Sequence, residues 1–197
     1  YYHSFFHNKN HLVKLAVGRA GNVIGGGDWA KDRIIVDTVK AWSQKQSVEI
    51  RCPDATRPWQ HVLEPISGYL VLGENLLTTG QVNGEAFNFG PRAEQNRTVK
   101  ELLQTLVNEW KAEISDIPFT VIDNIPFIEA GLLKLNCDKS LFHLKWDATL
   151  DYHDTVRMTA EWYSKYYCGL DNLLSITNFQ IEEYKEIAIK RGSNWTK

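Results

Sequence analysis

Leu12-Val13-Lys14-Leu15-Ala16-Val17 is a nearly continuous apolar run, and it leads directly into Gly18-Arg19-Ala20-Gly21-Asn22-Val23-Ile24-Gly25-Gly26-Gly27-Asp28-Trp29. A short apolar run that ends at glycine is typical of a strand buried on both faces of a parallel sheet. The stretch Gly84-Glu85-Ala86-Phe87-Asn88-Phe89-Gly90 carries the same signals, with turn residues at both ends. We therefore expect strands near residues 12–18 and 85–90, and both can belong to one parallel sheet.

The rest of the chain alternates between helical and strand patterns. Asp32 is placed to cap a helix whose apolar positions from Ile34 to Trp42 return at helical spacing, and Pro65 suits the first turn of another. Thr98-Val99-Lys100-Glu101 has the pattern of a capping box. Further helices are predicted over residues 137–144, 155–166 and 181–190, and short strands over 48–51, 57–62 and 119–122. This alternation predicts an α/β fold.

The composition is that of an ordinary globular protein, and it limits the possible functions. The 197 residues carry a net charge of −2 and the pI is near 6.3, so no basic surface points to nucleic acid or acidic membranes. No apolar run reaches transmembrane length. The three cysteines are widely separated and lack metal-ligand spacing, which favours free thiols. We expect a cytoplasmic protein with no metal site and no nucleic acid or membrane partner.

The glycine-rich stretch Gly25-Gly26-Gly27-Asp28-Trp29-Ala30 admits three interpretations. It matches a G-x-G-x-x-A dinucleotide fingerprint, and Glu49 lies about 20 residues further on, as that motif requires. Against the fingerprint, the bulky Trp29 stands inside the motif and the helical pattern starts only near Asp32. In the second interpretation, glycine is needed because the loop adopts backbone angles that other residues disfavour. In the third, the loop contacts a substrate.

Polar side chains near these strands are candidates for binding an anionic ligand that contains a ring. The amide of Asn22 can donate to a phosphate or sugar oxygen, and the guanidinium of Arg57, at a strand end, matches a pyrophosphate. Arg33, near a predicted helix N-terminus, can add a second positive charge. Asn88 alternates with two phenylalanines, so its side chain is expected to point away from theirs. Each of these residues could instead have a structural role. The asparagines could form hydrogen bonds within turns, Arg57 could form a surface salt bridge, and Arg33 could lie on a solvated helix face.

Familiar catalytic motifs are absent from the sequence. None of the eight tyrosines is followed four positions later by lysine, so the sequence has no Tyr-x-x-x-Lys pair, in which the ammonium lowers the phenol's pKa. The sequence has no Gly-x-Ser-x-Gly nucleophile elbow either. His61 and His143 stand alone, and we interpret both as structural. No residue of the chain is therefore assigned a catalytic role.

Three blocks of sequence carry a resemblance to a known family. They are Arg19 to Val36 (RAGNVIGGGDWAKDRIIV), Arg57 to Gly68 (RPWQHVLEPISG) and Ala86 to Arg92 (AFNFGPR). The sequence resembles the CDP-glucose 4,6-dehydratases, nucleotide-sugar enzymes of the extended short-chain dehydrogenase/reductase family, over nearly its whole length. The GGGDW loop and RPWQHV favour this branch over dTDP-glucose dehydratases and UDP-galactose epimerases.

The resemblance implies an organisation for the chain. It would correspond to the C-terminal portion of such an enzyme, with the NAD-binding Rossmann half and the Tyr-x-x-x-Lys pair upstream of Tyr1. The last elements of the Rossmann sheet would span about residues 1–25 and 64–92, and a smaller α/β substrate-binding cap about residues 26–63 and 93–197. Family members are commonly dimers, so a homodimer or homotetramer is expected for the full-length protein.

The resemblance also implies roles for particular residues. Ala20 and Gly21 would lie near the nicotinamide end of the NAD cofactor. The residues implied to contact a CDP-glucose substrate are Asn22, Arg33, Ile34, Arg57 and Asn88. Among them, Arg57 would bind the diphosphate and Asn88 would form the far wall of the nucleotide pocket. The implied reaction oxidises the sugar at C4, eliminates water across C5–C6 and returns the hydride to C6.

The resemblance weakens in the last third of the chain. Where the family tends to have His-Tyr-Leu-Lys-Leu-Asp-Cys and then Leu-Gly-Trp, this chain has Gly131-Leu132-Leu133-Lys134-Leu135-Asn136-Cys137 and then Leu144-Lys145-Trp146. No site residue is assigned from that segment. Two other hypotheses stay open, a nucleotide-sugar-binding module without catalysis and a related nucleotide-sugar epimerase.

Overall fold

Strands and helices alternate along most of the chain. The computed structural model describes residues 2–7, 12–110, 116–122, 131–169 and 172–197. The strands are β1 (Val17–Ala20), β2 (Asn22–Ile24), β3 (Val48–Ile50), β4 (Thr56–Arg57), β5 (Trp59–His61), β6 (Ala86–Phe89), β7 (Arg97–Thr98) and β8 (Phe119–Val121). The α-helices are α1 (Ile34–Ser43), α2 (Leu63–Thr78), α3 (Val99–Glu109), α4 (Asp138–Leu144), α5 (Tyr152–Tyr167) and α6 (Leu173–Arg191).

The strands form pairs, most of which are parallel. β1 pairs with β6, β2 with β5 and β3 with β8 in parallel, whereas β4 and β7 are antiparallel. Gln60 of β5 joins two of these pairs, because its buried side-chain amide donates to the carbonyl of Phe89 at the end of β6 (3.0 Å). The predicted α/β class with parallel strands is confirmed.

Helix α2 packs on the β1–β6 pair through glycines. An added Cβ at Gly68 would come within 2.3 Å of Cδ1 of Phe89, and one at Gly18 within 2.6 Å of the ring of Tyr69. A side chain at either position would push the helix away from the sheet. A separate core joins α1, α3 and α5, and its largest buried side chains include Trp42, Leu102, Leu106, Trp110 and Tyr163.

The predicted strand at residues 12–17 is wrong in its position, because β1 begins only at Val17. Before β1, the main chain of Leu15 donates to the side chain of Asn83 and accepts from the N–H of Gly84. This segment is therefore anchored to the turn before β6 and not to a strand. An apolar pattern does not reveal such an anchor, because the partner lies 68 residues further along the chain.

The predicted helix cap at Asp32 is also wrong. Asp32 adopts a left-handed backbone conformation (φ 61°), and Arg33 is the N-cap residue of α1 without a capping hydrogen bond from its side chain. Aspartate tolerates this backbone at turns, which accounts for its place here. The helix begins well after the glycines, in agreement with the argument against a dinucleotide fingerprint.

Side-chain caps mark the starts of α3, α5 and α6. The predicted box at the start of α3 is present, since Thr98 and Glu101 each accept a hydrogen bond from the other's main-chain N–H. Helices α5 and α6 start earlier than predicted, because Asp151 and Asn172 cap them with side-chain oxygens. Within the residues that the structure describes, no helix has the length and apolar character of a membrane span.

Candidate ligand-binding site

The carboxyl ends of β1 and β6 lie side by side and bring together two of the predicted site residues. Arg19 is in register with Asn88, and Ala20 with Phe89. In open parallel α/β sheets, ligands bind outside the carboxyl ends of the strands. Ala20 and Asn88 thus lie at the edge of the sheet where a ligand is expected.

Pro58 brings Arg57 to the same edge. Gly21 directly follows β1 and lies against Pro58, since an added Cβ would be 3.0 Å from Cγ of the proline. Asn22 begins β2 and is in register with Trp59, the first residue of β5. Gly21, Asn22 and Arg57 are therefore neighbours around one proline, although they are widely separated in sequence.

The strand that carries Arg57 is fixed on both sides. Arg57 is partly buried, and its Nη1 donates to the carbonyl of Thr56 (2.9 Å). On one side β4 pairs with β7, and on the other Thr56 forms a parallel bridge with Leu132. The N–H of Thr56 donates to Gly131 (2.9 Å), and the N–H of Leu133 donates back to Thr56 (3.3 Å).

Residues 131–137 are here named the strap. The strap lies beside Thr56 of β4 and then crosses the ends of β1 and β6. The side chain of Leu135 packs over Gly21 and Gly90, with its Cδ1 3.1 Å from a Cβ added at either glycine. Glycine at both positions lets the strap approach the strand ends closely. No site residue was assigned to this segment from the sequence, but the structure places it in contact with Gly21, with Asn88 and with Thr56 beside Arg57.

Asn88 is bound to the strap. Its Nδ2 donates to the carbonyl of Asn136 (2.9 Å), and Oγ of Ser140 donates to the main-chain carbonyl of Asn88 (2.5 Å). Phe87 and Phe89 are fully buried, whereas Asn88 is partly exposed, so the predicted alternation is confirmed. The side-chain amide of Asn88 is therefore hydrogen-bonded to the main chain of the strap.

The two remaining predicted residues, Arg33 and Ile34, lie at the start of α1. Arg33 is exposed, and Ile34 packs against the core that joins α1, α3 and α5. Among the described residues, no hydrogen bond or ion pair joins the Arg33 side chain to the strand ends or the strap. The structure thus brings together five of the seven predicted residues.

The glycine-rich loop after β2 packs on α5. An added Cβ at Gly26 would overlap the ring of Trp162 (2.1 Å), and the hydroxyl of Tyr163 bonds to both the N–H and the carbonyl of Asp28. These contacts supply a packing reason for glycine in this loop. Contact between the loop and a substrate stays a prediction.

A buried carboxylate lies just beyond β5, in the first turn of α2. Glu64 accepts hydrogen bonds from the main-chain N–H groups of Thr149 and Leu150 and from the hydroxyl of Tyr184. Burial raises the pKa of Glu64 to about 7, although these hydrogen bonds act to lower it. The carboxylate ties α2 to α6 and to the segment before α5.

His61, at the end of β5, is buried as a neutral imidazole. Burial lowers its pKa to about 4, and the positive charge of Arg157 lowers it further. Its Nδ1 accepts from the N–H of Leu63 (3.4 Å). These contacts agree with the structural role predicted for His61.

A cleft of about 610 Å³ opens beyond the strap, and none of the seven predicted residues lines it. Its walls include Trp146 and the strap residues from Lys134 to Cys137. Burial raises the pKa of the Cys137 thiol to about 11, so this thiol is protonated at neutral pH. In the described part of the chain, no group of three or more histidine, cysteine or acidic residues is placed to hold a metal ion.

Solved structures with this fold include nucleotide-sugar epimerases and dehydratases. UDP-glucuronic acid 4-epimerase from Bacillus cereus, in complex with UDP-glucuronic acid and NAD, matches with a TM-score of 0.66 at 16% identity, covering 81% of this chain and 48% of that one. dTDP-glucose 4,6-dehydratase from Bacillus anthracis, in complex with NAD, matches with a TM-score of 0.62 at 17% identity, covering 80% and 47%. The chain therefore has the fold of one part of these Rossmann-type enzymes.

The sequence comparison is more specific. The chain is 43% identical over 176 residues to CDP-glucose 4,6-dehydratase of Salmonella typhimurium, which covers 87% of this chain and 48% of that enzyme. The resemblance to the C-terminal portion of this dehydratase is confirmed. The chain spans about half the length of the curated relative that it matches. No family model matches the chain.

Proposed function

We propose that this chain is the substrate-binding portion of an NAD-dependent CDP-glucose 4,6-dehydratase, which converts CDP-glucose to CDP-4-keto-6-deoxyglucose and water. The observation that carries the proposal is the convergence of Gly21, Asn22, Arg57 and Asn88 around the place where β1 and β6 end and β2 begins. The 43% identity to a CDP-glucose 4,6-dehydratase supports the choice of nucleotide sugar.

Each binding residue has a role that follows from its chemistry. The guanidinium of Arg57 offers a fork of N–H donors to the diphosphate, and the uncharged amide of Asn22 donates to a sugar or phosphate oxygen. Asn88 forms the far wall of the pocket together with the strap that it holds. Arg33 and Ile34 border the nucleotide from the start of α1.

NAD is proposed as the cofactor, as in the related structures that hold it. Ala20 and Gly21 fit this role, because they lie at the carboxyl end of β1, the edge of the sheet where a ligand is expected. Bound NAD would supply the hydride chemistry of the reaction, which is oxidation at C4 and reduction at C6. We assign the Tyr-x-x-x-Lys pair and most of the NAD contacts to residues outside this sequence.

The cellular setting and organisation are part of the same proposal. The enzyme would act in the cytoplasm as a homodimer or homotetramer and supply precursors of dideoxy sugars for surface polysaccharide, such as lipopolysaccharide. Residues 1–25 and 64–92 would complete the Rossmann sheet, and residues 26–63 and 93–197 would form the substrate-binding cap.

A binding series tests this proposal. Titration of the full-length protein with CDP-glucose, UDP-glucose and dTDP-glucose should show tightest binding of CDP-glucose, and Arg57→Gln should weaken it strongly. Arg191→Gln removes an exposed arginine at the end of α6 and should leave the affinity unchanged. Equal affinity for all three sugars, or equal effects of the two variants, would contradict the assignment.

A further inference from the structure

The main-chain carbonyls of the last two residues of β6 are both bound by buried side chains from other elements. Oγ of Ser140, on α4, donates to the carbonyl of Asn88 (2.5 Å). The side-chain amide of Gln60, on β5, donates to the carbonyl of Phe89 (3.0 Å). Ser140 and Gln60 are 0% and 1% exposed, so neither donor is shared with solvent. The end of β6 is therefore attached to a helix as well as to a strand with which it is not paired.

These bonds lie where the strand pairing of β6 stops. The last register pair between β1 and β6 is Ala20 with Phe89, and after Gly21 the chain continues into β2, which pairs with β5. Strand ends fray most easily, because fewer hydrogen bonds hold them. Buried carbonyls also need donors. The side chains of Ser140 and Gln60 supply the hydrogen bonds that continued strand pairing would otherwise provide.

Asn88 is bonded through both its main chain and its side chain to one short segment. Its Nδ2 donates to the carbonyl of Asn136 (2.9 Å), and Ser140, four residues further on, donates to its main-chain carbonyl. Oδ1 of Asn136 accepts from the N–H of Asp138 (3.0 Å), the first residue of α4. The end of the strap is thus tied to the helix that carries Ser140, and residues 136–140 hold Asn88 at two points.

The side-chain amide of Asn88 retains hydrogen-bonding capacity for a ligand. An asparagine amide has two N–H donors and one acceptor oxygen. In the described part of the chain, one N–H of Asn88 is bonded to Asn136, and its Oδ1 has no partner. The bond to Asn136 also determines which end of the amide is the nitrogen. A partly exposed amide whose direction is fixed before binding loses less conformational entropy when a ligand binds.

We propose that Ser140 is a positioning residue for the ligand. It fixes the main chain of Asn88, and thereby the direction in which the amide of Asn88 meets the ligand, without touching the ligand itself. This inference deepens the proposed function and rests on its assignment of Asn88 to the wall of the pocket. No sequence motif indicated Ser140, because its bond to Asn88 spans 52 residues.

Ser140→Ala in the full-length protein tests this role, because it leaves the carbonyl of Asn88 without its donor from α4. The Kd and KM for CDP-glucose should rise roughly fivefold, as expected for one lost buried hydrogen bond. The kcat should stay unchanged, since Ser140 does not contact the reacting atoms. A Kd that is unchanged, or a fall in kcat at constant KM, would overturn the positioning role.

Ser67→Ala is the matched control for this variant. Ser67 is also a buried serine whose hydroxyl donates to a main-chain carbonyl, that of Glu64 (2.8 Å), but it lies on α2. Ser67→Ala should lower the melting temperature and leave the Kd for CDP-glucose unchanged. An equal rise of the Kd in both variants would mean that the effect follows from lost stability, and the positioning role would be rejected.

Hydrogen exchange of the full-length protein without ligand separates this inference from the proposed function. In Ser140→Ala, the main-chain amides of residues 88–90 and 135–137 should exchange roughly tenfold faster, whereas Ser67→Ala should leave them unchanged. Unchanged exchange in Ser140→Ala would overturn the inference. If exchange accelerates but the unaltered protein does not bind CDP-glucose, the role of Ser140 at Asn88 stands and the dehydratase assignment fails. If the unaltered protein and Ser140→Ala convert CDP-glucose with the same KM, the positioning role fails alone.

Discussion

Glu64 lies three positions after His61, and burial shifts the pKa values of these two residues in opposite senses. The pKa of Glu64 is raised to about 7, so the folded state holds a proton that the unfolded chain loses near its ordinary value of 4.5. This contribution to stability is present at low pH and is lost as the pH rises toward 7. The pKa of His61 is lowered to about 4 from 6.5, so its contribution is present at higher pH and is lost as the pH falls.

We predict that the two effects oppose each other between pH 4.5 and 6.5 in the unaltered protein. In His61→Gln only the contribution of Glu64 remains. The free energy of unfolding of this variant should therefore fall by about 3 kcal/mol as the pH rises from 4.5 to 7. Glu64→Gln should show the reverse slope. Urea unfolding at a series of pH values measures both. Parallel pH profiles for the two variants would show that these groups do not titrate as the geometry requires.

The limits of sequence reasoning are clearest at single residues. Asn22 and Arg57 were recognised as candidates because their side-chain chemistry is visible in the sequence. The packing of Leu135 over Gly21 and Gly90 was not foreseen, because it joins segments far apart in the sequence. The attachment of Asn88 to Asn136 was equally invisible, since it depends on a contact across 48 residues of sequence.

At the scale of elements, α2 offers a matched pair of glycines. An added Cβ at Gly68 would meet the buried ring of Phe89, whereas nothing lies within 4 Å of one at Gly73. Gly68→Ala should therefore lower the free energy of unfolding by about 2 kcal/mol through overpacking. Gly73→Ala should raise it by up to about 1 kcal/mol, because alanine favours the helix. Thermal and urea unfolding of both variants measures the difference, and equal shifts would show that α2 does not approach β6 so closely.

The strap is the element on which the shape of the candidate site depends. Leu135→Ala should lower the free energy of unfolding by about 1 kcal/mol, because the side chain is only partly buried, and should also raise the Kd for CDP-glucose. Leu141→Ala, on the exposed face of α4, is the control and should alter neither quantity appreciably. A Leu135→Ala protein with unchanged affinity would show that the strap does not position the binding residues.

Elements with local signals were predicted well, and those with distant partners were not. The start of α3 followed from its capping box, since both partners lie within four residues. The position of β1 and the course of the strap depend on contacts with turns and strand ends far along the chain. Hydrophobic periodicity is a local pattern and does not predict such long-range contacts.

At the scale of the whole molecule, α2 exposes a large apolar surface. Ile66, Tyr69, Leu70 and Leu77 are between 42% and 75% exposed. Contiguous apolar surface of this kind favours association. We predict that the 197-residue chain, produced by itself, self-associates in sedimentation experiments. Leu70→Glu combined with Leu77→Glu should reduce this association, and a monodisperse monomer of the unaltered chain would contradict the prediction.

The identity of the reaction product tests the central claim most directly. The full-length protein is incubated with CDP-glucose and NAD, and the sugar product is followed by NMR. Dehydration and return of the hydride to C6 predict a new C6 methyl signal, which should be lost in Arg57→Gln and retained in Arg191→Gln. A product that keeps its C6 hydroxyl with inverted C4, or no conversion by the unaltered protein, would contradict the account.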